Sequence, residues 1–169
     1  GYDLARLAWL LRDLPVEVLG RVRSDRVMYF PAPARAPGTN GRPPRHGPAL
    51  RLADPGTWPG PAVSTCSETA RYGPVTAAAW GRLHQKLTSR AGWEDHDGEL
   101  PVIEGTLIRL HATSRLPGYP PLEPMWLWSS GPASCPEEAN RIWQAYLRRF
   151  DIEHLFRFFK QVLGWTRPK

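Results

Sequence analysis

Cysteine is scarce in this chain, and Cys66 and Cys135 stand alone with no Cys-x-x-Cys and no matching pair of histidines. Zinc ribbons and disulfide scaffolds are therefore disfavoured, and a reducing, cytoplasmic setting is expected. No apolar run approaches the ~20 residues that cross a bilayer, and the opening stretch from Leu7 to Leu11 is too short and too charged at its flanks for a signal peptide. Gly-x-Ser-x-Gly, Cys/His and paired-carboxylate constellations are missing too, which argues against a small hydrolase. Methionine occurs only at Met28 and Met125, and the chain opens on Gly1, so a fragment of a longer protein is expected.

What is present suits one domain or most of one: 169 residues, 41% of them hydrophobic, with eight tryptophans to fill a core. The formal charge of +6 favours a polyanionic partner. Only Lys86, Lys160 and Lys169 among the 22 basic residues are lysines, an arginine excess that suits bidentate phosphate binding but that a GC-rich coding sequence explains more simply.

Along the chain, Leu4, Leu7, Ala8 and Leu11 make one apolar stripe, which predicts a helix over 2–13 stopped by Pro15. Val16, Val18 and Val22 alternate with polar residues and predict a strand over 16–23. From Pro31 to Pro61 the composition turns to Pro, Gly and Arg, which reads as a long, mobile, irregular loop. Val75 to Trp80 reads as a strand, although its alanines leave a helix open. Residues 94–99 form an acidic turn, and strands are expected over Val102 to His111 and Pro124 to Ser129. Ser134 and Glu137 fit a capping box that opens a long C-terminal helix.

That helix carries the most specific pattern in the chain. Tyr146, Arg149, Glu153 and Lys160 follow one another at intervals of three, four and seven. At 100° per residue their side chains share an arc of roughly 60°, so one carboxylate, two cations and a phenol project together. Such a face suits a metal ion beside a phosphate backbone. On the wheel Leu147, Leu155, Phe158, Phe159, Val162 and Leu163 gather opposite, so the same four residues also fit the wet face of an ordinary amphipathic helix.

The spacing resembles the Tyr-Arg-Glu-Lys signature of DDE-class insertion-sequence transposases, and the opening Gly1-Tyr2-Asp3 resembles the stretch that follows that family's second catalytic aspartate. The resemblance implies an α/β fold: a partial RNase H-like core over 1–30, a β-rich insertion over 31–130 holding the loop at 31–61, and a helix over 131–169. It implies that Glu153 is the third catalytic acid and a ligand to one of two Mg²⁺ ions, and that Tyr146, Arg149 and Lys160 contact DNA. The other two acids would lie upstream of residue 1, so the fragment alone is expected to be inactive, because one carboxylate cannot hold two metal ions for an in-line phosphoryl displacement.

The partner so implied is double-stranded DNA at transposon ends, bound by a homodimer in a bacterial nucleoid. The alternative is a non-catalytic DNA-binding or interaction remnant of a mobile element. Lesser candidates are a base-stacking role for Trp126 or Trp128, a minor-groove arm at Asn40 to Pro43, and a cation at His96 with Asp95, Asp97 and Glu99. For each of these the plainer reading is favoured: core packing, a surface loop and a solvated turn. His154 points roughly 100° away from Glu153, which argues against a shared metal.

Overall fold

The structure is a computed structural model that describes residues 3–35, 37–38, 40–69, 73–88, 92–112 and 123–162, without the side chains at 150–152 and 154. Gly1, Tyr2, Leu163 and the ring of His154 lie outside the described residues. Helix α1 spans Leu4–Leu10, opened by Asp3, whose Oδ1 accepts from the backbone N–H groups of Ala5 and Arg6. It ends sooner than its apolar stripe predicts, because Arg12 folds back to donate to the Trp9 carbonyl and stack on the Trp9 ring.

Strands β1 (Leu19–Val22), β2 (Val27–Pro31), β3 (His46–Arg51), β4 (Val63–Thr69), β5 (Gly73–Gln85), β6 (Gly105–Ala112) and β7 (Met125–Ser129) form one antiparallel sheet. The long helix α2 covers Pro136–Gln161. The sheet order is β1-β7-β6-β5-β2-β3, and β4 pairs with the first half of β5. Among the described residues no helix is long and apolar enough to cross a membrane.

Two expectations need correction here. The strand predicted over 16–23 shrinks to β1, because Val18 bonds through its backbone N–H to the Ser130 hydroxyl before the regular ladder with β7 begins. The stretch from Pro31 to Pro61, expected to be irregular, contains β3 and a short 3-10 turn at Pro55–Thr57. Pro48 is tolerated because β3 is the edge of the sheet, where one side of the strand needs no ladder partner. Leu50 and Leu52 from this stretch are buried, so it contributes to the core despite its composition.

Strand β5 shapes the sheet. It runs beside β6 on one side, and on the other beside β4 first and then β2. Between Trp80 and Leu83 the register shifts, and Arg82 takes a positive φ of 60°. Residues three apart on a regular strand face opposite ways; the bulge lets Trp80 and Leu83 both enter the same core and curls the sheet.

Each face of the sheet has its own core. On one, Val75, Ala77, Ala79, Ile108 and Leu127 pack under α2 through Ala139, Ile142, Trp143 and Tyr146. On the other, Met28, Leu50, Trp80, Leu83, Leu107, Trp126 and Trp128 pack together, with Ala8 and Leu4 of α1 over β1. Trp126 and Trp128 are two apart and so share a face, and both are buried, with Leu127 in the opposite core. Neither indole is available to stack on a base.

Beside the second core lies a histidine pair. His46 Nδ1 and His84 Nε2 are 2.8 Å apart, with the Tyr29 ring against both imidazoles. His84 is wholly buried and its Nδ1 has no partner. Burial holds both groups below the ordinary histidine range, helped for His84 by His46 and for His46 by Arg45 and Lys86.

Candidate functional site on the C-terminal helix

Helix α2 begins one residue later than the expected capping box. Cys135 is the N-cap but its side chain does not cap the backbone, Pro136 takes the first turn, and Glu138 rather than Glu137 reaches back, to the N–H of Ser134 at 2.6 Å. Glu137 and Glu138 sit at the positive end of the helix dipole and Lys160 at the negative end.

The first half of the helix docks through Ala139, Ile142, Trp143 and Tyr146, a run of i, i+3, i+4 and i+7. Asn140 fixes the approach: its Oδ1 accepts from the hydroxyls of Thr65 (2.7 Å) and Ser67 (3.3 Å) on β4 and from Trp143 Nε1 (2.9 Å). Arg141 pairs with Glu17 at 3.2 Å, tying the same half to the segment before β1.

Beyond Leu147 the apolar stripe changes sides. The docked residues centre on one direction, while Leu155, Phe158, Phe159 and Val162 centre roughly 160° away by the 100° step. Leu155, Phe156, Phe158 and Val162 are about half exposed. The polar row therefore lies on the continuation of the docked side. Tyr146, expected on the wet face, closes the docked run and is 5% exposed. It is the last residue of the row still over the sheet.

Three of the four predicted residues come together. The Arg149 guanidinium lies over the Tyr146 ring at 5.1 Å, and its Nε is 3.3 Å from Glu153 Oε1. Arg149 and Glu153 are both exposed. Lys160 is exposed on the same side, about 10 Å further along the axis at 1.5 Å per residue. Among the described residues no three His, Cys, Asp or Glu side chains gather to hold a metal ion. Glu153 is one carboxylate with a cation beside it, and the described residues do not fit a two-metal centre.

The lesser candidates are engaged elsewhere. Asp95 pairs with Arg6, which holds its carboxyl below the usual range, and Glu99 pairs with Arg42 and Arg45. His96 Nε2 bonds the Glu99 carbonyl at 3.0 Å. Arg42, in the segment considered as a minor-groove arm, is thus tied to the acidic turn. Sequence reasoning missed Arg109, which stands in β6 between Ile108 and Leu110 on the side opposite to theirs; a charged residue inside an otherwise apolar strand was the signal.

No curated protein and no solved structure matches the chain. The DDE superfamily endonuclease family matches residues 1–86, half the chain, a stretch running from α1 through β5 and ending before α2. On that match, the chain belongs to the DDE superfamily endonucleases.

Proposed function

We infer that this chain is the C-terminal part of a DNA transposase, contributing Glu153 as one carboxylate of a Mg²⁺-dependent strand-cleavage and strand-transfer centre. The observation that carries the reading is the row of Tyr146, Arg149, Glu153 and Lys160 on one side of α2, in a chain that belongs to the DDE superfamily endonucleases. In this reading β1 belongs to an RNase H-like core, residues 31–130 are a β-rich insertion, and α2 brings the third acid. The remaining carboxylates lie outside the described residues, and the full protein acts on transposon ends as a homodimer.

The residues present have separable tasks. Tyr146 is packed in the core, so it positions Arg149 through its ring. Arg149 offers a planar fork for a phosphate, and Lys160 a second cation about three turns on. An exposed i,i+4 pair contributes little stability, so Glu153 and Arg149 separate at little cost when each finds another partner.

A second reading, a DNA-binding remnant without catalysis, is favoured by the pairing of Glu153 with Arg149 and by the lack, among the described residues, of a metal-holding cluster around it. The full-length protein decides between them. Glu153→Gln keeps the size and helix propensity of the side chain and removes its charge; strand cleavage should be lost while binding to transposon ends survives. Undiminished cleavage by that variant refutes the catalytic reading. The 169-residue chain by itself should show no Mg²⁺-dependent cleavage.

A further inference from the structure

On the sheet face away from α2, Arg109 projects from β6 between Ala78 of β5 and Trp126 of β7, its register partners. The methyl of Ala78 leaves room beside the guanidinium, which lies over the Trp58 ring at 5.1 Å. Next to it opens a shallow cavity of about 400 Å³ whose lining includes Ser64 and Cys66 of β4, Thr76 of β5 and Arg109. No carboxylate lines it, and Glu68, on the same side of β4, is not part of the wall.

Arg109 is half-buried, and among the described residues it enters no ion pair. Its Nε is withdrawn from water and has no hydrogen-bond partner. An unpaired buried donor is costly, and native proteins seldom keep one without a reason. Among the described residues eight arginines each pair with a named acid, whereas Arg109 lies over an indole with hydroxyls nearby.

We propose that this shelf binds a phosphate group, whether free or within a nucleic-acid backbone. The Trp58 ring, 5.1 Å from the guanidinium carbon, limits where the group can move, and an edge of a guanidinium can donate in parallel to two oxygens of an anion. The Ser64 hydroxyl borders the same space and can donate to a further oxygen of a tetrahedral anion, and the Thr76 hydroxyl can do so if it turns from the His111 carbonyl, to which it donates at 3.2 Å. The site lies on the sheet face opposite α2, and it does not depend on the role given to Glu153.

The test measures binding of inorganic phosphate by calorimetry and of a labelled single-stranded oligodeoxynucleotide by fluorescence anisotropy, on the whole chain. Arg109→Gln should weaken binding by roughly tenfold to a hundredfold, the range for losing a charge-assisted hydrogen bond. Arg109→Lys, which keeps the charge and loses the fork, should fall between, and near-ultraviolet circular dichroism shows whether each variant retains its packing. Arg12→Gln removes the same charge at a site remote in sequence and should change affinity by no more than about twofold.

Loss of both probes in Arg109→Gln supports a general phosphate site, and loss of the oligonucleotide alone supports one for the nucleic-acid backbone. Binding of neither probe by the unaltered chain overturns the proposal, as does equal weakening by Arg109→Gln and Arg12→Gln. Strand cleavage by the full-length Glu153→Gln protein and phosphate binding by the Arg109→Gln chain are separate readouts, so a failure of the catalytic reading and a failure of this one are distinguishable.

Discussion

Replacing Asn140 by Ala should loosen the docking of α2, and the structure says by how much. One oxygen accepts three donors, and the indole N–H among them can only donate, so the side-chain amide has a single workable orientation. On truncation the Thr65 and Ser67 hydroxyls, which are half-buried, can turn towards water and regain much of what they lose. The Trp143 N–H cannot do so readily, because Trp143 is 1% exposed. Stranding a buried donor costs about 1–3 kcal/mol, and the hydroxyls add a fraction more, so a loss of about 2–3 kcal/mol is expected.

With a urea slope of about 2 kcal/mol/M, that loss moves the unfolding midpoint down by about 1 M. Asn140→Asp keeps an acceptor for all three donors and should recover most of the shift. The assay is equilibrium urea unfolding followed by tryptophan fluorescence, with the three chains compared at equal slope. A midpoint within about 0.2 M of the unaltered chain for Asn140→Ala, or an Asp variant as weak as Ala, refutes the claim that this amide anchors the helix.

Leu50→Ala should cost about 2–5 kcal/mol, because Leu50 is fully buried on β3; a change below about 1 kcal/mol in the same unfolding assay would return this segment to a surface loop. Acidification tests the histidine pair. His46 and His84 are held below their unfolded value, so the unfolded chain binds the extra protons; stability is fully present above about pH 6.5 and falls as pH drops from there towards the folded values. Arg45 and Lys86 act in the same direction on His46, and Glu99 and Glu104 oppose the shift at His46 and His84 respectively. His84→Gln, neutral throughout, should flatten the slope between pH 7 and about 5, and an unchanged slope would remove the pair as its source.

Much of α2 could be read from the chain directly. The apolar repeat within each half, Pro136 and the acidic first turn specify a helix from local chemistry, and local chemistry is what a linear sequence records. Strands β6 and β7 were legible for the same reason, since β-branched and aromatic residues cluster there. The alignment of Arg149 with Glu153 and Lys160 follows from helical geometry alone, so the candidate row was visible before any tertiary contact was known.

Only the fold decided which side of each element is buried. Pro48 reads as a breaker until β3 is known to be an edge strand, and Tyr146 reads as solvated until the first half of α2 is seen to dock on the side that bears it. Trp126 and Trp128 are alike in sequence to an exposed platform, but β7 lies between two cores and both indoles are covered. The shelf around Arg109 draws on β4, β5 and β6 with a ring from the turn after β3, residues as far apart in the chain as Trp58 and Arg109. Local propensity carries no information about such neighbours, because they are set by strand pairing and by the bulge that curls β5, and both depend on the whole sheet.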